Sequence, residues 1–174
     1  MLRDWGHLDF TAVPFLDTPS YRLTLADVLA GEFSVVHTAV VRHPADQWLS
    51  LQQDRRICER LDMATFLLGY RCFAEQAAAV GYIRYEDFTR VPDQELSALC
   101  ERLKIPFDST YKARWSSYDK ITGDPYRNAT SQVIQPGKRK QIDAALDKEL
   151  SVNPDYLRAL QLLGYQHVDQ AGRK

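Results

Sequence analysis

The chain has 174 residues, 45% of them hydrophobic and 26% charged, with a formal net charge of −1. These proportions fit one globular domain and exclude an intrinsically disordered chain. Near-neutral charge excludes wholesale attraction to nucleic acid or to an anionic membrane, so any anion site has to be local.

Residues 1–23 read as irregular, with Pro14 and Pro19 inside them. Thr24 opens a short helix carrying Leu25, Val28 and Leu29, which Gly31 ends. FSVVHTAVV, residues 33–41, is β-branched, short and almost continuously apolar. That pattern predicts a parallel strand whose Val35, Val36, Ala39 and Val40 are buried on both faces. Pro44 suits the first turn of a helix, where its missing N–H costs nothing. Asp62 predicts the N-cap of a long helix with Phe66, Leu67, Tyr70, Phe73, Ala74 and Ala77 on one face, closed by Gly81. A second strand is predicted over Tyr82–Tyr85, then a helix from Pro92 with Leu96, Leu99, Cys100 and Leu103. Residues 107–136 read as loop-rich. One further helix is expected near 138–149, and another from Asn153-Pro154 to Gly164. The tail 168–174 is polar. The order predicts an α/β fold in one domain over 1–174, with a small, mostly parallel sheet flanked by helices.

Cys58, Cys72 and Cys100 form no disulfide framework and no CxxC metal spacing. Free cysteines fit a reducing, cytoplasmic setting, and MLRDWGHLDF has no apolar signal region. No metal, nucleic acid or membrane is expected as a partner.

The segment VVRHPADQWLSL, residues 40–51, carries the chemistry. It places Arg42 at the carboxyl end of a strand, where open α/β sheets bind ligands. The following helix would present free N–H groups and its positive end. Arg42 would add a fork of donors for a phosphate. Ser50 follows eight residues later, in the helix's second turn. The alternative pairs Arg42 with a carboxylate such as Asp46 and leaves Ser50 as a packing residue.

An apolar strand followed by Arg-x-Pro-x-Asp, with a serine eight residues after the arginine, resembles the 3′-phosphate motif of sulfotransferases that use 3′-phosphoadenosine 5′-phosphosulfate (PAPS). YIRYEDF at 82–88, LCERL at 99–103 followed by Ile-Pro-Phe-Asp, and the loop KITGD at 120–124 are similar to that family's later segments, in the same order. The resemblance covers roughly residues 33–165 and implies a P-loop-type sulfotransferase fold. It implies that Arg42 and Ser50 bind the 3′-phosphate of PAPS and that Tyr85 lies near the adenine, although a core tyrosine at a strand end reads equally well. It also implies that Lys138 and Arg139 close over the 3′-phosphate, although Lys138-Arg139-Lys140 reads as a solvated helix start, and its order departs from the family's. The resemblance implies a base upstream of that strand, which makes His7 the candidate catalytic base for a hydroxyl or amine acceptor, a small molecule or a glycan, although a histidine without a role in a flexible N-terminal segment is the alternative. Glu86 and Asp87 read as structural acids.

The family's Ser/Gly/Thr-rich loop, whose N–H groups cradle the 5′-phosphosulfate, has no counterpart here, for none of the eight glycines lies in such a string. The expectation is an incomplete sulfotransferase fold, inactive alone, with Met1 internal to a longer protein or placed at a misread start. An exposed sheet edge would favour self-association. The alternative is a non-catalytic α/β remnant that binds a nucleotide or a partner. A kinase relative is a third reading, and the Arg-x-Pro-x-Asp segment speaks against it.

Overall fold

A computed structural model describes residues 2, 4–115, 134 and 141–167. Among these, the elements run α1 (His7–Thr11), α2 (Thr24–Ala30), β1 (Ala39–Val41), α3 (Pro44–Leu51), α4 (Arg55–Cys58), α5 (Met63–Val80), β2 (Tyr82–Arg84), α6 (Tyr85–Arg90), α7 (Pro92–Arg102), α8 (Tyr111–Trp115), α9 (Ala144–Val152) and α10 (Pro154–Leu163). Among the described residues the fold is mixed α/β and mostly helical, with a small parallel sheet of two strands, β1 and β2. The chain divides into two compact units, Met1–Tyr82 with Arg139–Lys174, and Ile83–Lys138.

The first unit is built on α5. Asp62 starts this helix by accepting the Thr65 N–H at 2.7 Å and the Thr65 hydroxyl at 3.1 Å. Gly81 ends it at φ 86°, a conformation that costs a residue with a Cβ far more. Phe66, Leu67, Tyr70, Ala74 and Ala77 are buried along one face. Each of the larger side chains contributes roughly 1.5–3 kcal/mol by leaving water. The neighbour is α10, which buries Tyr156, Ala159, Leu160 and Leu163. Asn153 caps α10 by accepting the N–H groups of Asp155 and Tyr156 at 3.0 and 3.1 Å. The Arg71 guanidinium joins the two helices, reaching Asp155 at 2.6 Å and Glu75 at 2.7 Å.

Inside the segment read as irregular, α1 packs against α5 through Phe10, which is 2% exposed. Gly69 makes that approach possible: a Cβ there would lie 2.0 Å from the Phe10 carbonyl oxygen. The buried Asp9 carboxylate accepts the Thr24 N–H at 3.1 Å and the Thr24 hydroxyl at 2.6 Å. It thereby caps α2 from outside.

The predicted strand over 33–41 is corrected in length and in burial. Only Ala39–Val41 is strand. Val41 is 1% exposed, whereas Val36 and Val40 are 45% and 57% exposed. Within the strand Val40 is exposed between the half-buried Ala39 and the buried Val41, so one face packs inward and the other faces solvent. The Ala39 N–H reaches the Gly81 carbonyl at 3.0 Å and the Thr38 hydroxyl reaches it at 2.8 Å. The helix expected near 138–149 begins at Ala144 instead, because Asp143 caps it by accepting the Leu146 N–H at 2.8 Å.

In the second unit, α6 packs on α7, with Thr89 and Cys100 buried. Among the described residues no helix is long and apolar enough to cross a membrane. Nor does any group of three His, Cys, Asp or Glu side chains there stand ready to hold a metal ion. The polar tail 168–174 lies outside the described residues.

Candidate functional site

The β1–α3 corner carries Arg42, His43 and Pro44. Val41 ends the strand fully buried, and Arg42 emerges half-buried from its carboxyl end. The Tyr70 hydroxyl of α5 donates to the Arg42 backbone carbonyl. Pro44 stands in the first turn of α3, as its fixed φ favours. His43 is the N-cap, and its Nδ1 accepts the Ala45 N–H at 3.3 Å. Its backbone carbonyl accepts the Gln47 N–H at 2.9 Å.

This arrangement corrects one expectation. The first turn of α3 does not offer all its N–H groups to a ligand, because His43 takes that of Ala45 and Pro44 has none. An anion reading of this corner would rest on the Arg42 guanidinium and the positive end of α3. Ser50 is half-buried in the last turn of this eight-residue helix. It follows Asp46 by four residues and shares its face. Asp46 itself is 5% exposed, a first-turn acid where the helix dipole favours negative charge.

His43 is 0% exposed, and a buried imidazole needs partners for both nitrogens. Because Nδ1 accepts an N–H, the proton sits on Nε2, which donates to the Gln166 carbonyl at 3.1 Å. Tyr165 and Tyr156 meet the ring edge-on, with centroids at 5.2 and 6.3 Å. In the sequence His43 is marked only by standing at the start of this helix. Its place between Arg42 and Pro44, at an N-cap, was the one available signal.

His7, the candidate base, opens α1 half-buried, with its ring 5.3 Å from that of Trp5. The Thr11 hydroxyl gives its proton to the His7 carbonyl at 2.8 Å and lies 3.1 Å from Nε2. Burial lowers the imidazole pKa to about 4. The ring is therefore neutral at pH 7, the right form for a base, but well below the basicity that suits proton abstraction there.

Tyr85 belongs to the second unit. It is the first residue of α6 rather than the last of a strand, and it is 40% exposed, so the core-tyrosine reading does not hold. In the same helix Asp87 pairs with Arg90 at 2.5 Å and lies 3.9 Å from Arg84. Lys138 and Arg139 lie outside the described residues. Arg42 and His43 stand at the β1–α3 corner, Ser50 in the last turn of α3 and His7 on α1, all within the first unit.

No family model matches the chain. No curated protein matches it. Among solved structures, a sulfotransferase domain from the curacin biosynthetic pathway is similar over 94% of this chain and 68% of its own, with 19% sequence identity and a TM-score of 0.49. A likeness of that degree leaves function to be argued from the residues.

Proposed function

We propose that this chain is sulfotransferase-derived, with a P-loop-type sheet, and that its β1–α3 corner binds the 3′-phosphate of PAPS. One observation supports this most: Arg42 leaves the carboxyl end of β1 directly into a capped helix that carries Ser50. Arg42 would supply the fixed charge and Ser50 a hydroxyl. Tyr85, Lys138 and Arg139 are proposed to complete the nucleotide contacts, as the resemblance implies.

Sulfuryl transfer asks for more. A base removes the acceptor's proton, a role proposed for His7, and cations with N–H groups stabilise charge on the departing phosphate. The 174 residues contain no Ser/Gly/Thr-rich loop to hold the 5′-phosphosulfate. Losing one such donor typically costs about 10²–10³ in rate, and losing a whole loop removes several. The chain alone is therefore proposed to bind nucleotide without turnover, with transfer to a small-molecule or glycan acceptor belonging to a form that supplies the loop. The same missing loop favours the second reading, a nucleotide-binding remnant.

Calorimetry tests the binding half. Adenosine 3′,5′-bisphosphate should bind more tightly than adenosine 5′-phosphate, and Arg42→Ala should weaken that preference about tenfold, as loss of a charge-assisted contact does. Equal binding of the two nucleotides, or no effect of Arg42→Ala, would refute the site. Labelled PAPS offered with phenols, sugars and amines tests the other half, and robust turnover by the 174-residue chain would refute the missing-loop reading.

A further inference from the structure

The corner at Arg42–Pro44 is tied to residues more than a hundred positions later through the His43 imidazole. After α10, Gly164 turns the chain at φ 63°, and the Tyr165 N–H returns to the Leu160 carbonyl at 2.9 Å. Gln166 then accepts the His43 Nε2 proton at 3.1 Å. His167 lies between two further anchors: its Nε2 meets Asp147 of α9 at 2.9 Å, and its Nδ1 meets the Tyr156 hydroxyl at 3.1 Å. With Nε2–H donated to the carboxylate, the tyrosine hydroxyl donates to Nδ1. Tyr156 is itself fully buried. The strap 165–167 is thus fixed by α9 and α10, and it reaches the start of α3 through the His43 imidazole, which Gln166 bonds and the Tyr165 ring meets edge-on.

We propose that His43 is the positioning residue of the anion corner. Only one tautomer serves both of its bonds: Nδ1 must stay bare to cap Ala45, and Nε2 must carry the proton to reach Gln166. The imidazole therefore transmits the strap's fixed position to the first turn of α3 and to the backbone that aims Arg42. Tyr70 braces that backbone from the α5 side. The inference rests on the reading of the Arg42–Ser50 corner given above.

The full chain, His43→Asn, His43→Ala and Asp147→Ala decide it. Asparagine is a good N-cap and keeps an acceptor for the first turn, but it cannot reach Gln166 in the same way. His43→Asn should therefore recover most of the melting midpoint lost in His43→Ala, yet bind adenosine 3′,5′-bisphosphate about tenfold more weakly than the parent. Asp147→Ala, which loosens the strap from α9, should weaken binding about threefold. Nitrogen-15 spectra of the parent should show His43 protonated on Nε2 and bare on Nδ1, and exchange of the Ala45 amide should quicken in Asp147→Ala. Parent-like binding by His43→Asn would reduce the imidazole to a cap and overturn the proposal. A proton on Nδ1, or unchanged Ala45 exchange in Asp147→Ala, would overturn it as well. If the parent chain binds no bisphosphate, the nucleotide reading fails, while the nitrogen spectra and the exchange still decide what His43 does.

Discussion

Replacing Gly69 by alanine sets two effects against each other. Position 69 lies inside α5, so helix propensity alone predicts a gain of about 1 kcal/mol. The packing predicts the reverse. The added methyl would stand 2.0 Å from the Phe10 carbonyl oxygen and 2.9 Å from its carbon. An ordinary carbon–oxygen contact needs about 3.4 Å, so α1 and α5 would have to separate by roughly 1.4 Å at that point. The obstacle is backbone, which no rotamer change can move aside. Overpacking of this kind costs about 1–3 kcal/mol, and a lifted α1 begins to expose Phe10, worth up to about 3 kcal/mol when fully buried. The net expectation is a loss of about 2 kcal/mol, or roughly 4–8 °C in melting midpoint for a chain of this size. Urea unfolding followed by circular dichroism measures it. Ala78→Gly, at an exposed position of the same helix, should lose about 1 kcal/mol and calibrates the propensity term. A Gly69→Ala protein as stable as the parent, or more so, would refute the close approach of α1.

Acidification should destabilise the fold through His7. Its pKa falls from 6.5 to about 4 on burial, so the unfolded chain binds the extra proton between those values. The stabilisation is complete above pH 6.5 and is lost as pH falls through 4. After allowance for partial exposure this amounts to roughly 2 kcal/mol, and His7→Gln should flatten the slope of unfolding free energy over that window. Asn153→Ala removes the acceptor for two N–H groups of α10 and should cost about 1–2 kcal/mol, and Asp62→Ala about 1 kcal/mol at the start of α5. Two-state unfolding curves that do not move in either variant would show that these caps carry no stability. The face bearing Val36 and Val40 should drive concentration-dependent self-association, visible in sedimentation velocity and reduced by Val40→Lys; a strictly monomeric parent chain at high concentration would contradict it.

Much of the first unit was legible because its signals are local. Asp62, a face repeating every three or four residues and Gly81 define α5 from start to stop. Pro44 and Pro154 mark the first turns of α3 and α10 in the same way. Strand 33–41 misled because continuous apolar character is also what a strand covered on one face can carry, and nothing local tells whether a second layer of helices covers the other. The short α1 was invisible because its place depends on Gly69, more than fifty residues later. Tyr85 carries β propensity, yet Glu86 and Asp87 already belong to the first turn of a helix. Arg42 and Ser50 are named from the strand end and the eight-residue spacing, and their phosphate role stays a proposal; the surroundings of His43 were not legible, since its partners come from Tyr156, Tyr165 and Gln166.

The Asp9 clasp has a practical side. Its carboxylate holds Ser20 and Thr24, and its backbone carbonyl accepts the Tyr21 N–H at 2.9 Å, so the base of the loop from Ala12 to Ser20 is closed by one residue. The tip, Phe15 to Thr18, is exposed. Closing a longer flexible loop costs only about 0.6 kcal/mol for each doubling of its length. Residues 16–18 are therefore a place where a peptide tag or a fluorophore-bearing insertion can be grafted, provided that Asp9, Ser20 and Thr24 keep the two ends of the graft together.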